Sequence, residues 1–388
     1  MKKFFILIFS FILASQPLFA FAQSGELVSD KVETVRAKVL DILNQEVKDI
    51  PGTDVKSNFQ TIQVVILEGT EKNKTVTVDN DYLSLKKGEV FYLMHTTNSL
   101  DGRDYYSVSE PYRLPSVLFF VFLFVVLVFI FGGIQGIRGL VSLIGSFVLI
   151  LYVMLPGILH GYSPIIMSLA VSALIIVVGS YITHGFNKTT SSAVIGMIVT
   201  VLFTGFLAYI AVHITRLSGF ANEEAVYLNL DTRGSIDFVG LLLGGILIGL
   251  LGVLYDVAIG QAISVEELHH VAPHLSRKII FNRALRIGRE HIGALVNTLA
   301  IAYVGVSLPL LLLYLKSSDA PLSLTLNREL FSTEIIRTMI GSIGLVVAVP
   351  ITTLISVWIL MRTREIEDVT PEKLQKEKEA IEHLGHHH

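Results

Sequence analysis

The chain has 388 residues, of which 52% are hydrophobic and only 16% are charged. Because soluble domains carry roughly 25% charged residues, this composition excludes a water-soluble protein and indicates a membrane protein. The net charge of −3 argues against a protein that binds nucleic acid. The absence of cysteine from the sequence excludes disulfides, thiolate metal sites and a cysteine nucleophile.

Residues 1–22 have the pattern of a secretory signal peptide. Lys2 and Lys3 precede an apolar run, and small residues at the end of the segment suit cleavage after Ala22. An uncleaved anchor is the alternative, and both interpretations place the next segment outside the cytoplasm.

Residues 23–113 are predicted to form a small extracytoplasmic β domain. Apolar and polar residues alternate in several short runs, such as those at 35–39 and 88–95, and an Asp-Gly turn at 101–102 precedes the last run. Five short strands in so few residues indicate an all-β, OB-like barrel or sandwich. The domain shows no catalytic set of residues, so we expect a packed module, with ligand binding as the alternative.

Seven apolar segments fill residues 114–362, and each is near the roughly 20 residues that cross a bilayer. They lie at 115–133, 139–157, 164–182, 191–214, 237–260, 291–315 and 335–360. The sequence therefore predicts an α-helical polytopic membrane protein with seven transmembrane helices after the β domain. Seven crossings put the C-terminus in the cytoplasm, which agrees with an excess of Lys and Arg in the predicted inner segments. The charged tail, 363–388, is predicted to be a solvated helix or disordered.

The span at 237–260 contains the strongest candidate for a functional residue, Asp256. Four glycines share its helical face at spacings of three or four residues: Gly245, Gly249, Gly252 and Gly260. Small residues let another helix approach closely, so we expect this face to be packed and Asp256 to point away from lipid. An ionisable group inside a span indicates function by default. The alternative is a carboxylate near the end of its span that is hydrated or paired with a loop arginine.

Polar groups at a similar depth in the last two spans are predicted to complete an ion- or solute-binding site with Asp256. They are Asn297, Thr298 and Thr353, the last of which follows a helix-breaking proline. Isolated Asn and Thr residues in membranes also join helices without further function, and that alternative stays open.

The loop at 261–290 is too patterned for a plain connector. Residues 264–270 and 276–289 are each predicted to form a short helix, the second with one apolar and one basic side. One interpretation is an interfacial amphipathic pair, and the other is a coupling helix that moves with the spans. The histidines and glutamate of this loop match no strong metal-binding pattern, so we predict no metal and no cofactor.

The stretch from Gly252 to Leu313 begins GVLYDVAIGQAISVEELHH and continues to RALRIGREHIGALVNTLAIAYVGVSLP. It resembles the signature of the YibE/F family of bacterial multipass membrane proteins. The resemblance extends over most of the chain and implies a multipass fold with a secreted N-terminal module. It also singles out Asp256, Glu267, Arg286, Arg289 and Asn297.

Together these features predict a transporter or permease for an ion or small solute in the bacterial cytoplasmic membrane. In the predicted mechanism, Asp256 alternates between a proton and a bound cation or substrate amine. Glu267 would pair with Arg286 or Arg289 to form a cytoplasmic gate. The lipid bilayer is one partner, and the glycine face could also hold a second copy of the chain or another membrane protein.

The alternative is a receptor, or a scaffold subunit of a larger complex, that senses through its extracytoplasmic domain. Deleting residues 23–110 would separate the two, because a transporter core could keep activity and a receptor could not. An ABC-type permease subunit is a variant of this idea. An enzyme is disfavoured, because intramembrane aspartyl proteases need two aspartates in their spans and only Asp256 is available.

Overall fold

The computed structural model describes residues 30–49, 56–99, 101–316 and 321–361. The predicted signal peptide, 1–22, and the predicted charged tail, 363–388, lie outside the described residues. The chain divides into two compact units, residues 1–124 and 125–388.

The N-terminal unit contains one antiparallel sheet. Its strands are β1 (Lys31–Asp49), β2 (Lys56–Ile66), β3 (Thr75–Asn80), β4 (Val90–Thr97) and β5 (Asp104–Pro111). The strand order is β3-β2-β1-β4-β5, and the long β1 pairs with both β2 and β4. The edge strands β3 and β5 also contact each other, so the sheet curls into a half-barrel. The prediction of an N-terminal β sheet is confirmed.

The sheet buries one side because apolar residues occur at every second position of its strands. Val35 and Val39 on β1 are buried, as are Phe91 and Leu93 on β4, and they share one core. The same alternation places a polar residue, His95, on the buried side of β4.

The segment after the sheet is helical. Its elements are α1 (Leu114–Leu149), a π-helical turn (Ile150–Met154), α2 (Leu155–Leu159), α3 (Pro164–His184), α4 (Lys188–Ile214), α5 (Glu223–Asp231), α6 (Phe238–Val271), α7 (Arg277–Val306), α8 (Leu308–Lys316), α9 (Leu322–Asn327) and α10 (Glu329–Leu360). Within the described residues, five stretches are long and apolar enough to cross a membrane, or six if the bent pair α7–α8 is one span. A polytopic helical membrane protein is therefore confirmed, with five or six candidate spans where the sequence predicts seven.

The first of these stretches, residues 114–159, is broken at Gly133. The stretch is 46 residues long, and a straight α-helix of that length measures about 69 Å, whereas the hydrocarbon core is about 30 Å thick. Gly133 has non-helical angles (φ 52°, ψ −141°), which glycine adopts without a Cβ clash. The break falls at the last residue of the predicted span 115–133, before the next predicted span, 139–157.

Helices α4, α6 and α10 form the centre of the helical unit, and α3 and α7 pack against them. Small residues bring α4 and α10 close together, since Gly196 on α4 lies directly against Thr352 on α10. A buried hydrogen bond of 3.0 Å joins the hydroxyls of Ser192 and Ser356 across the same contact. Close packing and polar contacts of this kind hold helices together in lipid, where apolar burial supplies little driving force.

The helices predicted inside the loop 261–290 are continuations of the adjacent spans. α6 runs without a break to Val271, and α7 starts at Arg277. α6 ends at this point because Pro273 disfavours the α conformation in the residue before it. The prediction of two separate short helices is therefore wrong in its boundaries, although the residues are helical.

We expect Gly196→Ala to destabilise the helical unit by about 1–3 kcal/mol, the usual cost of overpacking a tight core. The added Cβ would lie 2.6 Å from Thr352 Oγ1 and 3.0 Å from Thr352 Cα, which is backbone and cannot rotate away. Gly145→Ala is the matched control, because nothing lies within 4 Å of its added Cβ. Thermal unfolding in detergent measures the difference, and equal unfolding temperatures for the two variants would contradict this packing.

Candidate functional site

Asp256 lies on an exposed side of α6, together with the four glycines of its helical face. A Cβ atom added at Gly245, Gly252 or Gly260 would meet no other atom within 4 Å. One added at Gly249 would meet a tyrosine hydroxyl at 3.1 Å. Within the described part of the chain, Asp256 has no hydrogen-bond or ion-pair partner. The structure therefore leaves this face open, where the sequence led us to expect a packed one.

The opposite side of α6 explains the orientation of Asp256. Leu247, Leu250 and Leu254 are buried and pack in one core with residues of α4 and α10. These larger side chains fill the interior, so the side that carries the glycines and the aspartate is turned outward. Among the described residues, α7 reaches this face at Gly249 through the hydroxyl of Tyr303, and nothing approaches the other three glycines as closely. Helix packing through these glycines stays a prediction, and the helix that packs against them would belong to a second molecule.

Asp256 is the only charged residue of α6 between its cap, Asp237, and Glu266. It lies about 27 Å along the helix axis from Phe238, and the hydrocarbon core of a bilayer is about 30 Å thick. For a span that begins at the start of α6, the carboxylate falls inside the apolar layer, near its far boundary. A carboxylate at this depth needs a proton, a cation, water or a protein partner to offset its desolvation.

The other predicted binding residues lie in two different surroundings. Asn297 and Thr298 are exposed on α7, and Thr298 Oγ1 donates to the carbonyl four residues before it (2.9 Å). Thr353 on α10 is buried, and α10 continues through Pro350 without the predicted break. The hydroxyl of Thr353 lies 2.9 Å from Gln261 Oε1 and 2.6 Å from the carbonyl oxygen four residues before it, so these two acceptors share its proton. No hydrogen bond or ion pair in the described residues connects either group with Asp256. The structure therefore does not bring the predicted set together by direct contact.

The contact between Gln261 and Thr353 is a buried polar feature that the sequence did not bring to attention. Gln261 lies on α6 and is 3% exposed. Gly288 on α7 lies against it, because a Cβ at that position would come within 2.6 Å of Gln261 Nε2. Three helices thus meet at one buried amide. A glutamine inside an apolar run was the available signal.

Of the residues of the predicted gate, Glu267 lies in the last turns of α6, and Arg286 and Arg289 lie about 14 and 18 Å along α7 from its first residue. Glu267, Arg286 and Arg289 are all exposed, and no ion pair links them within the described residues. The gate stays a prediction.

A cluster of polar side chains joins the edges of the half-barrel, and the sequence did not predict it. Glu71 and Lys74 come from the turn before β3, His95 from β4, and Asp104 and Tyr106 from β5. Lys74 Nζ lies 2.6 Å from Glu71 Oε1 and donates to the Tyr106 hydroxyl (2.9 Å). His95 Nε2 lies 2.8 Å from Asp104 Oδ1, and the imidazole stacks on the ring of Tyr106. The inward position of His95 in the alternating pattern was the available signal.

Hydrogen bonds inside this cluster favour the ionised forms of its two carboxyl groups. The ammonium of Lys74 donates to Glu71 and lowers the pKa of that carboxyl. The imidazole of His95 does the same for the pKa of Asp104, with help from the hydroxyl of Thr97. Both groups are therefore carboxylates at neutral pH.

Comparison with known proteins gives one match. The model of a family described as YibE/F-like protein matches residues 120–362, which is more than half of the chain. Neither a curated protein nor a solved structure matches. The match covers the helical segment that contains Asp256, and it confirms the resemblance seen between Gly252 and Leu313.

We expect Thr353→Val to destabilise the helical unit by about 1–3 kcal/mol, because it leaves the buried oxygen of Gln261 without its donor. Thr298→Val removes an exposed hydroxyl and should change stability by less than about 0.5 kcal/mol. Replacing Gln261 by Leu together with Thr353→Val removes both polar partners and should recover part of the loss. Unfolding of the variants in detergent tests this, and equal effects of the two threonine substitutions would count against the buried contact.

Proposed function

The chain belongs to the YibE/F family, and we propose that it is a multipass transporter or permease that moves an ion or small solute across the bacterial cytoplasmic membrane. In this proposal, Asp256 exchanges a proton for a bound cation or a substrate amine. The β domain lies outside the cytoplasm, the C-terminus lies inside, and the protein is not an enzyme.

The carboxylate of Asp256 on an open side of an apolar helix is the observation that carries the proposal. An ionised aspartate costs roughly 3 kcal/mol at the centre of a span and less near the boundary, where Asp256 lies if the span begins at the start of α6. A proton or a bound cation offsets that cost. A carboxylate that binds either a proton or a cation has its charge neutralised in two states of a transport cycle, the protonated state and the cation-bound state. The carboxylate has no partner among the described residues, so in this proposal a path for such a ligand forms where a second helix covers this side of α6.

We place a second copy of the chain, or a partner membrane protein, against the glycine face of α6. Glycines allow the close approach of another helix, and such a helix would shield Asp256 from lipid. Helix α7 borders this face, because Gly249 meets the hydroxyl of Tyr303. Asn297 and Thr298 are exposed on the same helix and are available to complete a binding site. Thr353 holds α6 to α10 instead.

We further propose that the helical segment crosses the membrane seven times. The break at Gly133 divides residues 114–159 into two segments, and each is long enough to cross once. The bent pair α7–α8 supplies one further crossing. Together with α3, α4, α6 and α10, these segments give the seven crossings that the hydropathy of the sequence predicts.

Single cysteines test this topology without background labelling, because the sequence contains no cysteine. With seven crossings, Tyr82→Cys and Tyr162→Cys should react with a membrane-impermeant maleimide in intact cells, and His274→Cys should react after lysis only. Tyr82 and Tyr162 are 63% and 66% exposed, so burial does not limit their labelling. If residues 114–159 crossed only once, Tyr162 would lie on the side opposite Tyr82, and labelling on opposite sides would refute the proposed topology.

Flux into proteoliposomes tests the transport mechanism. We expect wild-type protein to carry an ion or solute from a panel run with and without a pH gradient, and Asp256→Asn to lower that flux at least about tenfold, because the amide exchanges no proton and carries no charge to hold a cation. Asp231→Asn is the matched control, since it removes an exposed acidic group at the end of α5. If Asp256→Asn transports like the wild type, the proposed mechanism is wrong.

A receptor or scaffold is the second candidate function. The polar cluster of the β domain favours it, because five interacting polar side chains converge where the edges of the half-barrel meet. Failure of the folded wild-type protein to carry any member of the panel would favour this candidate.

A further inference from the structure

The polar cluster of the β domain, defined by Glu71, Lys74, His95, Asp104 and Tyr106, contains the donor set of a metal site. One ligand atom from each of Glu71, His95 and Asp104 lies within 4.8 Å of the other two. A tetrahedral zinc ion bound at about 2.0–2.1 Å separates its ligand atoms by about 3.3 Å. The 2.8 Å between His95 Nε2 and Asp104 Oδ1 therefore needs only a small opening, and Glu71 needs a small approach.

The fold holds these three ligands on separate elements. Glu71 comes from the turn before β3, His95 from β4 and Asp104 from the first position of β5. His95 is 8% exposed, and its ring lies 4.8 Å from that of Tyr106, centroid to centroid, in a stacked arrangement. The imidazole is therefore held in place by packing before any ligand arrives.

Outer groups orient the two carboxylates, as such groups do around metal ligands. The hydroxyl of Tyr106 donates to Glu71 Oε2 at 2.5 Å, and Thr97 Oγ1 donates to Asp104 Oδ1 at 2.8 Å. Both carboxyl groups are ionised at neutral pH, which is the form that binds a cation.

We propose that Glu71, His95 and Asp104 bind a divalent transition-metal cation such as Zn²⁺, with water completing the coordination. One imidazole and two carboxylates suit Zn²⁺ or Mn²⁺, whereas Ca²⁺ takes oxygen ligands alone. The bound ion ties the turn before β3 to β4 and β5, so it locks the two edges of the half-barrel together.

Lys74 opposes metal binding and therefore distinguishes a metal site from a purely structural cluster. Its ammonium lies 2.6 Å from Glu71 Oε1, and a nearby divalent cation would be repelled by it. The Lys74 side chain is 45% exposed, so it can move into solvent when an ion binds. In a structural cluster Lys74 is the counter-charge of Glu71. In a metal site it competes with the ion.

The test is a Zn²⁺ titration of the purified full chain in detergent after chelator treatment, with His386, His387 and His388 replaced by alanine in every protein. We expect the wild-type protein to bind one more Zn²⁺ per chain than His95→Gln, whose site should be weakened at least about 100-fold by loss of a ligand. His160→Gln, an exposed histidine outside the β domain, should bind as the wild type does. Equal Zn²⁺ binding by the wild type and His95→Gln would overturn the proposal.

Lys74→Met gives a second readout that does not depend on the folding of His95→Gln. Removal of the competing charge should tighten Zn²⁺ binding roughly tenfold. Two positive charges a few ångströms apart repel each other even when they are partly exposed, and this repulsion lowers the affinity for the ion. A structural cluster predicts no gain. Unchanged or weaker Zn²⁺ affinity in Lys74→Met would overturn the proposal by itself.

Discussion

The helical unit depends on how closely α4, α6 and α10 approach one another. Apolar helices gain little free energy by exchanging contacts with lipid for contacts with one another. Close packing at small residues and hydrogen bonds between helices must therefore stabilise their association. Gly344 on α10 shows the constraint, because a Cβ there would press on both Thr204 of α4 and Leu250 of α6. A single position without a side chain lets three helices meet. The hydroxyls of Ser192 and Ser356 and the amide of Gln261 then lock these helices in one rotation.

This rotation decides which side of α6 reaches the surface. The leucines of α6 must face α4 and α10, and residues half a turn away must face outward. Asp256 is therefore exposed as a consequence of packing elsewhere on the same helix. A charge so placed would be a defect in an isolated membrane protein. The cost of this charge is offset when the exposed side of α6 binds a solute, a proton or another protein, as in the proposed function.

Much of this architecture can be predicted from the sequence, because periodicity reports which residues share a side. The alternation in residues 88–95 predicts β4, and the spacing of the glycines correctly groups them with Asp256. Periodicity does not say which side is buried, and the glycine side is open in the structure. Contacts between distant segments are also invisible to it. Asp104 becomes a neighbour of His95 when β5 pairs with β4, but Glu71 joins them only when the sheet curls. Gln261 likewise meets Thr353 only when α6 packs on α10.

The length of α6 has a mechanical consequence. Its 34 residues make a rod about 51 Å long, some 20 Å longer than the hydrocarbon core is thick. The excess cannot all lie in the apolar layer, and the polar end of the helix, from Glu266 to His270, is the part suited to lie outside it. A tilt of about 10° at the membrane boundary would swing this end by about 3.5 Å over that length. Only the five residues 272–276 separate this end from the start of α7, so a displacement of α6 would reach α7 through a short segment.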